Sequence, residues 1–440
     1  MEHVEQILFP KWIIPVDETN SIYEDCGIVI DAGRIVEVAD KSKLEAKYSS
    51  NEVAILDDHA IIPGLVNAHT HAPMTLFRGL ADDLPMQEWL NEHIWPAEAK
   101  WVDEEFVRAG TNLACAEMLR SGTTCFNDMY FFPNIVAEQC EACGIRACIG
   151  MIVIEFPTIW AKNPDEYIQK GLDLRTSLKK STLITTCFSP HAPYTVSDNT
   201  LKQIVELSTT LDCQVHIHVH ETAEEVERAV CETGIRPLER LHRLGLLNKR
   251  LMAVHMTQLT MDEIQTVAEH KAHVIHCPES NLKLSSGNCS TGKLIDHEVN
   301  VALGTDGAAS NNDLDMFGEM HTASLLAKIV GESATYLDSY TTLRIATLNG
   351  AKALNLDHEI GSIESGKSAD LVAVNLSHPA TQPCYSPVSQ IVYSTSRDQV
   401  TDVWIAGKRL LNEGKLTTID EHQSISVARD WRDKIYLSKT

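Results

Sequence analysis

Two histidines one residue apart, His69 and His71, close an apolar run that reads Ile61-Ile62-Pro63-Gly64-Leu65-Val66-Asn67-Ala68. On a β-strand, residues i and i+2 point to the same face, so a single strand end presents both imidazoles to one point. Imidazole is the commonest protein ligand for zinc and also suits iron. An isolated His-x-His also occurs at ordinary strand exits, so its meaning depends on what the rest of the chain brings beside it. Other apolar runs end in Ser189-Pro190-His191, in His216-Ile217-His218-Val219-His220-Glu221, in His255, in His276-Cys277-Pro278 followed by Ser280-Asn281, and in Gly304-Thr305-Asp306-Gly307. A mononuclear hydrolytic metal centre needs three or four protein ligands and one open position for water. His69, His71, one histidine of the fifth run and Asp306 supply that set. Spacing leaves His216, His218 and His220 open, since all three share one strand face. A second ion would need a bridging anion, such as a modified lysine after the fourth strand. That place holds Ser-Pro-His-Ala, so one ion is expected and His255 stays free for catalysis.

These residues need elements that carry them to one place. Strand-like runs at 64–69, 123–129, 145–154, 183–189, 213–218, 251–255, 273–277 and 299–304 alternate with helical patterns, the signature of βα units and a parallel sheet. One helix spans Glu104–Arg120, capped by Asp103 and closed by Gly122. Others begin after Ser197-Asp198 and after Thr260, where Asp262 and Glu263 fill the first turn, and two more are read at 313–330 and 339–354. The fold class expected for residues 62–366 is an α/β, (β/α)8 TIM-type barrel, whose chemistry sits at the C-terminal ends of its strands. Both chain ends read as strands instead: 7–16, 27–30 and 34–39 with a turn at Asp31-Ala32-Gly33, then 369–375, 390–394, 403–405 and 409–411 with a turn at Ala406-Gly407. They predict a small β-sandwich domain from residues 1–61 and 367–440, ending in a helix at 424–438.

Composition narrows the partners. The chain has 440 residues and 61 Asp plus Glu against 37 Lys plus Arg, a formal net charge of −24. That balance opposes binding to nucleic acid or to an anionic membrane. No run of about 18 apolar residues suggests a spanning helix. The start, Met1 to Val16, carries Glu2, Glu5, Lys11 and two prolines, unlike a secretory leader. The 12 cysteines are scattered, which predicts free thiols in a reducing cytoplasm. Cys140 and Cys143 form the one Cys-x-x-Cys, inside an apparent helix at 134–142, and are read as helix packing.

Longer stretches carry a family resemblance. Pro63 to His71, Gly304-Thr305-Asp306-Gly307 and the run from Gly361 to Val372 resemble the amidohydrolase superfamily. Leu76 to Leu84, Glu88-Trp89-Leu90, Trp95-Pro96-Ala97-Glu98, His218 to Ala223 and His276 to Leu284 are similar to one branch of it, the 5′-methylthioadenosine/S-adenosylhomocysteine deaminases. The resemblance implies the barrel and sandwich described above. It selects His218, so that His69, His71, His218 and Asp306 would bind one Zn2+ per subunit, with Fe2+ or Mn2+ suiting the same donors. It gives Glu221 the proton shuttle, His255 a catalytic role and Asp306 the base. Glu98 would hold ribose hydroxyls, and His191 and Trp89 would contact the substrate beside Glu221 and Asp306. His216 becomes a barrel-interior residue and His220 a loop residue or substrate neighbour. The implied reaction converts 5′-methylthioadenosine, S-adenosylhomocysteine or adenosine to the inosine analogue and ammonia, in a homo-oligomer (dimer or tetramer). The alternatives are hydrolysis of another ring (guanine, cytosine or a triazine, by deamination or dechlorination) and a metal-free barrel that only binds or scaffolds; the full ligand set argues against the latter.

Zinc lowers the pKa of bound water to about 7. Asp306 can then take a water proton, Glu221 can protonate ring N1 so that C6 becomes attackable, and His255 can steady the developing oxyanion or orient the water. Each acid–base step contributes about 10²–10⁴-fold. There is one departure from the branch. The segment Ile152 to Lys162 has no arginine to meet an amino-acid tail; Phe156, Ile159 and Trp160 predict an apolar tail pocket suited to a methylthio group.

Overall fold

The computed structural model describes residues 1–437. Barrel strands one to eight are Leu65–Thr70, Thr123–Asp128, Arg146–Val153, Ile184–Pro190, Val215–Val219, Leu251–His255, His273–His276 and Val301–Leu303, parallel and in sequential order. Every predicted barrel strand is present, with ends displaced by a few residues. The seam between strands one and eight is sewn by Asn67. Its amide donates to Thr305 Oγ1 (2.7 Å) and accepts from the Thr305 backbone (3.0 Å), while Asp306 N donates to His69 O (3.0 Å). The interior is filled by compact side chains, among them Val66, Cys125, Cys148, Cys187, Val254, Ile275 and Ala302, and Ala351, Leu354 and Ile360 join this cluster. It is a packed core rather than a pore, which leaves room for a ligand only at the mouth.

The outer helices follow their start signals. Asp103 accepts from Phe106 N (2.8 Å) at the head of Glu104–Arg120, Ser197 caps Asp198–Leu211, and Thr260 with Glu263 makes a capping box on Met261–Glu269. Two expected helices are trimmed by their caps. The first starts at Met316 because the Asp315 side chain accepts from Phe317 N, and the second is broken at Ala346-Thr347 into Ser339–Ile345 and Leu348–Ala353. The terminal helix is Glu421–Leu437; position 438 of the expectation lies outside the described residues.

Strands from the two chain ends form one nine-stranded sheet. Its order runs Lys415–Leu416, Lys408–Asn412, Val400–Ile405, Leu371–Asn375, Glu52–Pro63, Gln6–Ile13, Cys26–Asp31, Arg34–Asp40, with Tyr23–Glu24 beside Gln6–Ile13. The sheet curls over its own core of Leu8, Ile28, Ile30, Ile35, Leu371 and Trp404, so the two predicted hairpin turns meet. Gly33, at φ +75°, sits where a Cβ would lie 2.6 Å from Ala406 O. The strand expected at 390–394 is instead the helix Pro387–Tyr393. Ser386 caps it and Val388, Ile391 and Val392 bury one helical face, a short apolar run that periodicity cannot assign by itself. Glu52–Pro63 lies in the terminal sheet and Leu65 opens the barrel, with Gly64 as the joint. Beneath strand three, buried Arg146 pins the sheet to the barrel through Asp370 (Nε–Oδ2 2.9 Å, Nη2–Oδ1 3.1 Å). Among the described residues no helix is long and apolar enough to cross a membrane. The cysteines are unpaired; Cys140 and Cys143 lie buried on Pro133–Cys143, in helix packing as expected.

Candidate metal centre and pocket

One ligand atom each from His69, His71, His218 and Asp306 lies within 4.8 Å of the others at the barrel mouth. Asp306 Oδ1 is 3.1 Å from His69 Nε2 and 3.2 Å from His71 Nε2, and His69 Nε2 is 3.3 Å from His218 Nε2. Simple alternation would not turn both Ala68 and His69 inward. The register shift between Asn67 and Thr70 against strand two does, a β-bulge at the site. Gly304 lets strand eight pass this bulge, since a Cβ there would lie 2.8 Å from His69 Cβ.

The far side of each imidazole is held as well. His71 Nδ1 donates to Met129 O (2.6 Å) and His218 Nδ1 to His191 O (2.8 Å), while His69 Nδ1 is 2.9 Å from His216 Nε2. A carbonyl only accepts, so Nδ1 of His71 and His218 carries a proton, which in the neutral tautomer leaves Nε2 free to bind an ion; His71 Nε2 faces Asp306 and His218 Nε2 faces His69 Nε2. Acceptors converging at this range repel unless a cation lies between them. The donor set, three imidazoles and one carboxylate, suits zinc. Burial opposes charge on His71, yet Asp306 outweighs it and lifts the imidazole to about 9, a measure of the negative potential that would draw a cation. Asp306 sits at φ +64°; its Oδ2 accepts from Ser280 Oγ (2.7 Å) and Ser310 Oγ (2.8 Å), and its Oδ1 from Gly307 N (2.8 Å). Burial pushes its pKa up, but His69 and His71 more than offset this and keep it well below the usual carboxylate range.

Glu221 and His255 stand beside this group, with Glu221 Oε1 3.7 Å from His255 Nε2. Burial, reinforced by Asp306 and Glu225, pushes Glu221 well above the usual range and keeps it protonated. Glu225, one turn into the helix Ala223–Thr233 that Thr222 caps, accepts from Glu221 N (2.8 Å) and His220 N (3.2 Å) and so fixes the loop that carries Glu221. His255, at φ +74°, is held neutral by burial, its pKa lowered to about 3, with the Asn281 amide 2.9 Å from its Nδ1. Left-handed backbone at two non-glycine residues of one site, His255 and Asp306, is strain kept in place by its surroundings. His220 is also left-handed (φ +54°) but turns away: its Nε2 accepts from Leu238 N (3.2 Å) at the head of Pro237–Leu244, so it anchors a helix and is not a substrate neighbour. His216 is buried in the barrel behind His69, as expected. His276 is buried outside the pocket.

A cavity of about 530 Å³ opens over His71, His218, Glu221, His255 and Asp306. Trp89, Glu98 and His191 line it too, so the structure brings all the predicted site residues except the buried ligand His69 to its wall. Burial lifts Glu98 to about 7, opposed by the Tyr130 hydroxyl, and lowers His191 to about 4. Phe156 and Ile159 line the pocket as predicted. Trp160 does not: it packs on Phe132 (ring centroids 5.3 Å apart) and under Lys170 (4.6 Å). Sequence reasoning missed the supporting residues Asn281, Ser310 and Glu225 and the lining residues Met86, Ile94, Tyr130 and Tyr194. Only Ser280-Asn281, directly after a strand end, carried a signal.

Residues 60–410 match the amidohydrolase family. The chain belongs to that family. This amidohydrolase is 47% identical over 432 residues (98% of each chain) to a 5-methylthioadenosine/S-adenosylhomocysteine deaminase of Teredinibacter turnerae. It is 48% identical over 433 residues (98% of this chain, 97% of the other) to a protein of the same name from Saccharophagus degradans. Its backbone superposes with a TM-score of 0.98 on a crystal structure of an adenosine deaminase from Xanthomonas campestris with bound zinc, 49% identical and covering 99% of both chains.

Proposed function

We propose that this amidohydrolase is a zinc-dependent deaminase of 5′-modified adenine nucleosides, with 5′-methylthioadenosine the first substrate to test. Water adds at C6 of the purine, the C6–N bond breaks, and the products are the inosine analogue and ammonia. The observation that carries this reading is the convergence of His69, His71, His218 and Asp306 at the barrel mouth with Glu221 and His255 beside them on the wall of one pocket. His69, His71, His218 and Asp306 would hold the ion, which when bound supplies a nucleophile from water at neutral pH.

The remaining work belongs to side chains. Glu221 holds the proton that ring N1 receives, which makes C6 electrophilic. Asp306 accepts one proton from water and can return it to the departing nitrogen; the second water proton, left on the C6 hydroxyl, passes to Glu221 as the C6–N bond breaks and replaces the one that N1 keeps, so the proton count closes. His255, neutral and braced by Asn281, orients the water and steadies charge on oxygen. Glu98 takes the ribose hydroxyls, His191 contacts the nucleoside and Trp89 packs on it from the pocket wall. The alternative rings have no ribose, and Glu98 would then face them with only the Tyr130 hydroxyl beside it. The names and identities of the relatives support the adenosine reading in the same direction.

We assign residues 1–61 and 367–440 to one domain and 62–366 to the other, with the joint itself moved to Gly64 because Ile62 and Pro63 still pair with Val372 and Leu371, and place the protein in a reducing cytoplasm that suits its unpaired cysteines. Ammonia release from 5′-methylthioadenosine, adenosine, guanine, cytosine and a chlorotriazine, with zinc measured on the same sample, tests the function. Turnover confined to a ring without ribose refutes it.

A further inference from the structure

Several polar side chains of the pocket wall are already bonded to protein partners. His71 Nδ1 donates to Met129 O (2.6 Å), His191 Nδ1 lies 3.0 Å from Thr195 Oγ1, Thr158 Oγ1 lies 2.5 Å from the Tyr167 hydroxyl, and Ser310 Oγ donates to Asp306 (2.8 Å). Tyr130 lines the same cavity and is only 4% exposed. Among the described lining residues it alone has a buried side-chain polar atom that closes no hydrogen bond, its phenol oxygen. A buried hydroxyl left unbonded carries its full desolvation cost, so it calls for a partner that folding does not supply. On a cavity wall that partner arrives with the ligand. Tyr130 follows strand two directly after Met129, whose carbonyl holds His71, and its ring centre lies 6.4 Å from that of His71 and 5.4 Å from that of Phe131. Its hydroxyl stands beside the Glu98 carboxyl and opposes the burial that lifts that group. The two are complementary in kind: an ionised carboxylate only accepts, whereas a phenol also donates. A vicinal diol whose O–H groups both point to Glu98 keeps oxygen lone pairs that need a donor, and Tyr130 is the donor next to them.

We propose that Tyr130 is a further substrate-binding residue: its hydroxyl donates to an oxygen of the ribose 2′,3′-diol that Glu98 receives, and the two side chains together select ribonucleosides over their deoxy counterparts. This rests on the deaminase reading above and deepens it at the sugar. The hydroxyl stabilises nothing in the fold; its bond is made with the sugar.

The test compares the full-length, zinc-loaded enzyme with its Tyr130→Phe variant on 5′-methylthioadenosine, adenosine, 2′-deoxyadenosine, 3′-deoxyadenosine and 2′,3′-dideoxyadenosine. Tyr130→Phe should lower kcat/KM for the two ribonucleosides about tenfold, through KM, and leave that for dideoxyadenosine within about twofold of the parent. The monodeoxy analogue that is likewise insensitive identifies the oxygen that the phenol meets. Without nucleoside, the variant should melt at a Tm no lower than the parent's, because the hydroxyl removed has no partner there; a purely structural tyrosine would lower it. An equal loss on every nucleoside, no loss on any, or a lower Tm with discrimination unchanged overturns the proposal. Calorimetric binding of adenosine and dideoxyadenosine to Glu221→Gln, with and without Tyr130→Phe, separates the proposal from the reaction. If none of these nucleosides is deaminated, yet Tyr130→Phe weakens adenosine about tenfold and spares dideoxyadenosine, the deaminase reading fails and the diol assignment stands. If they neither react nor bind, both fail.

Discussion

Glu221→Gln is the sharpest perturbation of the proposed chemistry. Glutamine has nearly the same volume and still offers an N–H to ring N1, but it has no proton to surrender. A general acid contributes about 10²–10⁴-fold to rate, which at ~1.4 kcal/mol per decade is about 3–5 kcal/mol of barrier. The structure points to the upper end, because the groups beside Glu221 are poor substitutes and Glu98 is assigned to the ribose. Burial holds His255 near 3 and His191 near 4, so both are neutral at pH 7 and have no acidic proton to lend. Asp306 is ionised, and Glu225 is tied to the backbone amides of His220 and Glu221. We expect kcat to fall about 10³–10⁴-fold. Zinc content should not change, because Glu221 is outside the group of converging ligand atoms. The assay is ammonia release at saturating 5′-methylthioadenosine, with elemental analysis of the same preparation. In the parent enzyme, kcat/KM falls as pH rises through the elevated pKa of Glu221, since the protonated form is the active one; the variant should lack that alkaline limb. Turnover within tenfold of the parent at full zinc occupancy would refute the assignment, and loss of the metal would make Glu221 part of the ion's coordination instead.

Other perturbations probe separate parts of the molecule. His69→Ala removes an Nε2 that lies 3.1 Å from Asp306 and should leave the purified protein largely without zinc; full occupancy would remove His69 from the ligand set. His216→Gln, which disturbs only the group 2.9 Å behind His69, should weaken zinc about 10–100-fold in a chelator competition. Burial lifts Glu98 to about 7, so it ionises only above that pH; if the ribose hydroxyls need its anion, KM should rise as pH drops below about 7, and Glu98→Gln should give a high KM that no longer varies with pH. Asp370→Asn strands the buried Arg146 guanidinium and should cost about 3–5 kcal/mol in urea unfolding, with kcat per folded molecule retained; replacing both partners by apolar residues should cost less than the single change.

Much of this protein is legible without coordinates, because local pattern encodes local geometry. Alternating apolar runs and capped helices give strands and helices in order. The period of two puts His69 with His71, and His216 with His218, on common faces; strand ends are where a parallel barrel exposes chemistry. Where pattern is short or ambiguous it misleads, as at Gln390, whose apolar neighbours bury a helical face instead of a strand face. The environment of each group is another matter. The bulge that turns His69 inward, the left-handed backbone that sends His220 to a helix end, and the packing that draws Trp160 out of the pocket all depend on strands and helices distant in the chain. So do the opposite pKa shifts of Asp306 and Glu221, two carboxyls that titrate at nearly the same pH in water. One meets two imidazoles and two hydroxyls across the barrel, while the other meets a buried wall and like charge. The sequence by itself determined which groups reach the mouth of the barrel; only tertiary contact decided what each faces there, because burial and charge act through space and not along the chain.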